Sequence, residues 1–265
     1  MGLRREFEKW KKDNAQVGTG AWARYAMFEF IKATNEVSSE YILKGGHLLW
    51  KKIKIKRTTT DLDYAIRKLE IDISEDLNRA CSLNDKFEFV IESIKKRTIK
   101  ESPGFSVVVC FREKELQAEE KRYTEDGRLI GYSKFTIDVG LDPGIEVEDI
   151  MVDGKVVKAA SATNIFLDKL DSCTRRGPEN TRIKDFDDLV QIITSGIALD
   201  PGHLRALAGH RGIPLKIRPD LVDPNFSQIW ARYMEIQYQG KPPGVLSDPV
   251  QAIEFINKYL SGTSN

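Results

Sequence analysis

Apolar residues near the start of the chain recur at helical intervals. Within Ala21 to Ala33, Trp22, Tyr25, Phe28, Phe30 and Ile31 fall close to that spacing and predict a helix. The short run Tyr41-Ile42-Leu43 stops at Gly45-Gly46, which predicts a strand closed by a tight glycine turn. His47 to Ile53 reads as one or two helical turns. From Asp61 to Ile66 polarity alternates, as in a half-buried strand. Ser74 to Leu83 reads as a helix, with Ser74 as its N-cap and Glu75 and Asp76 near the positive end of the dipole. Phe87, Phe89 and Ile91 alternate before the period blurs toward Ile99. Phe105 to Phe111, centred on Val107-Val108-Val109, is a strong strand signal. Asp126-Gly127 marks a turn, and Lys134 to Val139 a further strand.

The character changes after Gly154. Val156 to Cys173, Phe186 to Ser195, Trp230 to Tyr238 and Val250 to Leu260 all read as helices, with no convincing strand among them. The chain is therefore expected to be an α+β protein in two parts: a mixed α/β domain with N-terminal helices over 1–155, and a helical domain over 156–265. No internal repeat or low-complexity segment interrupts this order.

Composition narrows the class. The 265 residues are 41% hydrophobic and 31% charged, ordinary for a globular protein, and long enough to bury a sizeable core. A formal net charge of +1 supplies no global field for nucleic acid, so any basic surface is local. Cys81, Cys110 and Cys173 lie far apart and form no CxxC pair, which removes zinc spacing and an even disulfide framework and points to reduced thiols in a cytoplasm. The charged N-terminus lacks the apolar stretch of a signal peptide, and no apolar run is long enough for a membrane span.

The chemistry concentrates between Lys44 and Asp63. Side chains on a strand repeat every two residues, so Asp61 and Asp63 share a face. Two adjacent carboxylates repel unless a cation lies between them, and oxygen ligands suit Mg²⁺ or Mn²⁺ together with substrate phosphates. Such a pair can hold two metals across a phosphoryl displacement. Gly45 and Gly46 would let the backbone approach a triphosphate, and a helix opening at His47 would add favourable partial charge. Asp138, a lone acid within Phe135-Thr136-Ile137-Asp138-Val139, is the candidate third carboxylate. Taken singly, each piece has a plain structural reading: a solvated strand face, a turn, a salt-bridge partner.

Their order is more specific. Strand, Gly-Gly, short helix, Asp-x-Asp strand and later acidic strand together resemble the polymerase-β-like nucleotidyltransferase fold. Lys44-Gly45-Gly46 followed by Arg57-x-Thr-x-Asp61-Leu62-Asp63 is similar to the AbiEii/AbiGii toxin nucleotidyltransferases of type IV toxin–antitoxin and phage abortive-infection systems. Thr136-Ile137-Asp138-Val139-Gly140 resembles that family's later acidic strand. Asp168-Lys169-Leu170 and Arg182-Ile183-Lys184-Asp185-Phe186-Asp187-Asp188-Leu189 resemble its helical-domain motifs. The resemblance implies that Asp61 and Asp63 bind the metals and that Asp138 assists as ligand or base. It implies that Lys169 contacts the nucleotide triphosphate and that Asp185 acts at the site or orients Lys169. Arg182, Lys184, Asp187 and Asp188 read instead as structural pairs, and His47 receives no catalytic role.

The function so implied is transfer of a nucleotide from an NTP to an acceptor, with the 3′ end of tRNA leading, growth inhibition as the outcome and a cognate antitoxin as partner. Alternatives are nucleotidylation of a protein or small molecule, and a catalytically silent binding protein of the same fold. Three basic clusters could serve RNA: Lys51, Lys52, Lys54, Lys56 and Arg57; Lys95, Lys96 and Arg97; and Arg175-Arg176.

Overall fold

The helical spacing at the start becomes two helices, α1 (Leu3–Asp13) and α2 (Ala21–Val37). The structure is a computed structural model, and it describes residues 2–14, 20–55, 57, 59–99, 102–114, 129, 131–175 and 182–262. Lys56, Arg176 and the Asp126-Gly127 turn lie outside the described residues. The chain divides into two compact units, Met1–Lys51 with Thr58–Ala160, and Lys52–Arg57 with Ser161–Asn265.

The first unit is built on one seven-stranded sheet. Its strands are β1 (Ile42–Lys44), β2 (Asp61–Ile66), β3 (Phe87–Ile99), β4 (Ser102–Glu113), β5 (Ser133–Leu141), β6 (Val147–Val152) and β7 (Lys155–Ala160). The spatial order is β3-β4-β5-β2-β1-β7-β6, with β2 parallel to β5, β1 parallel to β7 and the other neighbours antiparallel. The helix α3 (Gly45–Ile53) follows β1 directly, and α4 (Ile73–Leu83) follows β2.

Period-two alternation gives this sheet two unlike faces. Leu62 and Tyr64 of β2, Val107 of β4, and Phe135, Ile137 and Val139 of β5 are buried. Phe30 of α2 meets Phe89 at 5.1 Å and Phe135 at 5.6 Å, both edge-on, so aromatic packing locks that helix onto the apolar face. Asp61, Asp63, Thr136 and Asp138 occupy the alternate positions and point to the other face.

Two local expectations are corrected. Val156–Ala160 is strand, not helix. Asp153 (φ 46) and Gly154 (φ 86) are both left-handed, the signature of a type I′ turn, and they join β6 to β7 with Val152 opposite Lys155. The change of character therefore falls after Ala160. The cap of α4 is Asp72, not Ser74: its side chain accepts from the Glu75 N–H at 2.9 Å, two residues upstream of the expected position.

The second unit carries α5 (Ala162–Arg175), α6 (Ile183–Thr194), α7 (Pro201–His210), α8 (Pro224–Tyr238) and α9 (Pro249–Gly262). The last three each open on an Asp-Pro pair. Asp200, Asp223 and Asp248 accept from the N–H of His203, Phe226 and Gln251, and proline at the first helical position loses no hydrogen bond. Phe186 meets Phe226 and Trp230 edge-on in its core, and those two rings lie tilted against each other. The three cysteines are free thiols. No described helix is long and apolar enough to cross a membrane.

Candidate active site

The register of β2 against β5 brings the predicted acids together. Asp63 lies directly opposite Asp138, and Asp61 opposite Thr136. Paired positions on neighbouring strands point to the same face about 4.8 Å apart, so Asp61, Asp63 and Asp138 form one acidic patch. Asp61 is exposed, while Asp63 and Asp138 are half-buried. The same cross-strand row continues on both sides. Lys44 of β1 faces Asp63, Ser106 of β4 faces Asp138, and Lys95 of β3 faces Ser106.

Asp138 is held on both oxygens. The Ser106 hydroxyl donates to Oδ1 at 3.1 Å, and the Arg97 guanidinium pairs with Oδ2. Arg97 sits one same-face row further along, opposite Gly104, which in turn faces Gly140. With no side chain at either glycine, the guanidinium has room to lie across β4 and reach the acid.

Gly45 shows why glycine ends β1. Its φ is +69, and a Cβ built there would lie 2.6 Å from Cγ and 2.8 Å from Cβ of Asp63. Only a residue without a Cβ admits both the turn and the Asp63 side chain. The helix α3 starts at Gly45 itself, two residues earlier than expected, so its first N–H groups open beside that carboxylate. His47, near the start of the helix, is buried edge-on against Phe28 at 5.6 Å.

The donor set is all carboxylate oxygen, which fits a hard divalent cation. It is not drawn together as a cage. Among the described residues no three His, Cys, Asp or Glu side chains converge to hold an ion, and Asp138 is turned to Arg97 and Ser106.

The second unit contains the other predicted residues in a buried ionic network. The Lys169 ammonium lies 2.8 Å from Asp185 Oδ1 and 2.8 Å from Asp188 Oδ2. Arg57 grips Asp188 with two parallel bonds, Nε to Oδ1 at 2.7 Å and Nη2 to Oδ2 at 2.8 Å. Arg182 approaches Asp185 Oδ2 at 2.9 Å. Burial opposes the charge on Lys169, but Asp188 and Asp185 outweigh it and raise its pKa. Burial likewise pushes Asp188 upward, and Lys169 and Arg57 more than reverse this, leaving it below the usual carboxylate range. Asp187 faces away from this group and accepts from Tyr233, Tyr238 and Gln191; burial raises its pKa against those bonds. Sequence reasoning paired Lys169 with Asp185 but missed that Asp188 and Arg57 complete the group. The signal was the spacing Asp185-x-x-Asp188, which puts both acids on one helical face.

The family model for the nucleotidyl transferase AbiEii toxin of type IV toxin–antitoxin systems matches residues 30–254. The chain belongs to the AbiEii family. No curated protein matches it in sequence. Among solved structures, JHP933 from Helicobacter pylori is similar at 15% identity, covering 94% of this chain and 97% of that one, with a TM-score of 0.47. MenT4, a nucleotidyltransferase toxin from Mycobacterium tuberculosis H37Rv, is similar at 13% identity, covering 86% and 69%, with a TM-score of 0.42. An antigenic nucleotidyltransferase-like protein from Paracoccidioides brasiliensis is similar at 14% identity, covering 72% and 88%, with a TM-score of 0.41.

Family membership makes this AbiEii chain a toxin nucleotidyltransferase, and hence an enzyme with a nucleotide substrate and an antitoxin partner. The basic clusters of the AbiEii chain differ in availability. Lys51 lies 3.5 Å from Asp153, Arg57 is buried on Asp188, and Arg175 pairs with Asp171 one helical turn back. Lys95, Lys96 and Arg97 are exposed on β3.

Proposed function

We propose that this protein transfers a nucleotide from an NTP to the 3′ end of tRNA and so arrests growth, using a divalent metal held by Asp61 and Asp63 with Asp138 as further ligand or base. The observation that carries the reading is the register that sets these three acids on one sheet face beside the Gly45 turn. In the reaction the acceptor hydroxyl oxygen bonds to the α-phosphorus, the α–β phosphoanhydride bond breaks, and pyrophosphate departs with that electron pair. Asp138, as base, would take the hydroxyl proton. Backbone N–H groups at the start of α3 receive phosphate oxygens. When bound, Mg²⁺ or Mn²⁺ would polarise the phosphoryl oxygens and align attacking and leaving groups. The family pattern gives Lys169 a place on the triphosphate and Asp185 the holding of that ammonium; the 2.8 Å contact between them supports the second part.

The test is incubation with each labelled NTP, Mg²⁺, total RNA and total protein. Label should enter tRNA-sized RNA, and Asp61→Ala or Asp63→Ala should abolish it while leaving the melting temperature close to wild type. Removing one of two repelling acids costs the fold little. Label in protein alone would overturn the RNA acceptor, and transfer by the variant lacking both acids would overturn the active site.

A further inference from the structure

The sheet face that packs α2, turned away from the acids, ends in a cavity of about 550 Å³. Its volume falls in the range of small-molecule sites. Arg4 and Phe7 of α1, Trp22 at the start of α2, Phe111 and Glu113 at the end of β4 and Ser133 at the start of β5 line it. The register fixes the side. Phe111 lies opposite Phe89 and Ser133, and Glu113 opposite Phe87. Both are an odd number of residues along β4 from Ser106, the neighbour of Asp138, and so point away from that acid.

Two rings shape the interior. Phe7 and Trp22 stand almost at right angles, 87° between planes, with centroids 4.8 Å apart. Trp22 lies 5.1 Å from Phe87, the cross-strand neighbour of Glu113. Phe7 and Trp22 are each only half-buried. A flat heterocycle laid on one ring meets the edge of the other, and both contacts are favourable for aromatic systems.

The charges bordering the cavity are not all engaged. Glu8 pairs with Lys11 at 2.8 Å. Arg112 also borders it, but its guanidinium is drawn to Glu88 at 2.6 Å, toward the face of the acids. Arg4 and Glu113 are left. Among the described residues neither side chain has an ion-pair or hydrogen-bond partner; Arg4 is exposed and Glu113 half-buried. An ionised carboxylate only accepts, so Glu113 suits a ligand with two neighbouring donors. Guanine offers them, N1–H beside the 2-amino group. Adenine sets an acceptor, N1, beside its amino group and would turn a lone pair on the carboxylate. Arg4 lies one helical turn before Phe7 and Glu8, on the same face of α1, and its planar fork suits a phosphate.

We infer that this cavity binds a guanine mononucleotide, with the base on Phe7 and Trp22, its N–H edge on Glu113 and the phosphate on Arg4. The sheet lies between this site and the acids proposed for transfer, and binding here requires neither those acids nor a metal.

The experiment is calorimetric titration of the full chain with GMP, AMP and guanosine in EDTA, without divalent metal. GMP should bind, and AMP should bind at least about tenfold more weakly, because a facing lone pair replaces a charge-assisted hydrogen bond. Glu113→Gln should reverse that preference, since an amide sets a donor beside an acceptor and so matches adenine. Arg4→Ala should weaken GMP about fivefold and leave guanosine unchanged. Neither side chain has a partner to lose, so both variants should melt as wild type does without ligand. A wild-type chain that binds no GMP, or that binds GMP and AMP equally, would overturn the inference. So would an unchanged preference in Glu113→Gln. Loss of GMP binding in the Asp61→Ala, Asp63→Ala double variant would also overturn it, by assigning the nucleotide to the acidic face. No turnover is read, so a failure of the transfer reading leaves these titrations unaltered.

Discussion

Gly45→Ala perturbs the contact on which the candidate site turns. Two costs add. A residue with a Cβ at φ +69 pays roughly 1–2 kcal/mol for the left-handed conformation. The new methyl also meets Asp63 Cγ at 2.6 Å and Cβ at 2.8 Å; the carboxylate can rotate away, but its Cβ cannot, so β1 and β2 must separate locally. Overpacking of this kind costs about 1–3 kcal/mol. The sum, about 2–5 kcal/mol, corresponds to a fall in melting temperature of about 5–15 °C for a unit of this size. The effect on transfer should be larger, because a misplacement of about 1 Å at a reacting group costs on the order of 100-fold. Thermal melts and NTP incorporation measure the two effects. A double-mutant cycle isolates the contact: Asp63→Gly removes every Asp63 atom that the methyl meets, so Gly45→Ala in that background should cost only the backbone term. A coupling of about 1–3 kcal/mol is expected. If Gly45→Ala melts within about 2 °C of wild type and keeps its activity, Gly45 and Asp63 are not packed as described.

Two further predictions concern the buried network. Arg57→Ala removes the bidentate partner of Asp188, and Lys169→Ala removes the ammonium shared by Asp185 and Asp188; each should cost about 3–5 kcal/mol, read from denaturant midpoints, because buried carboxylates lose a counter-charge. A midpoint unmoved by either would show the network to be solvated. The acid limb of stability follows from Asp188: its folded pKa lies below 3.8, so its contribution is full above the unfolded value and is lost as pH falls through the folded one. Asp188→Asn should be less stable at neutral pH and show a flatter loss below about pH 4; equal slopes for the two proteins would refute this.

Much of the site was legible because strand periodicity is two and cannot be evaded. Once Asp61-Leu62-Asp63 is a strand, its acids share a face, and Asp138 among β-branched neighbours must find a face too. What no single segment reveals is register, a property of pairs of strands. The Asp63–Asp138 alignment and the Arg97 grip across Gly104 and Gly140 arise only when β5 is set between β2 and β4. The error at Gly154 has a similar source. Asp-Gly is a strong hairpin signal, but the Val156–Ala160 run after it fits either period, and pairing with Val147–Val152 decided for strand. Helix α7 escaped notice because its apolar stripe is weak, although Asp200-Pro201 marks its start. Lys169 was singled out by resemblance alone; its burial between two aspartates is a fold role that one-dimensional spacing does not show.

The allotment of Lys52–Arg57 to the helical unit has a practical bearing on fragments of this protein. A cut at Ala160 looks natural, yet it yields a sheet fragment whose Arg57, four residues ahead of Asp61, has lost Asp188, and a helical fragment in which Asp188 has lost its bidentate arginine and keeps only the Lys169 ammonium it shares with Asp185. Neither half then keeps the network whole. The toxin should tolerate splitting or domain exchange only where the segment carrying Arg57 travels with α6, and homologous recombination at Ala160 alone should yield chimaeras that are poorly folded before they are inactive.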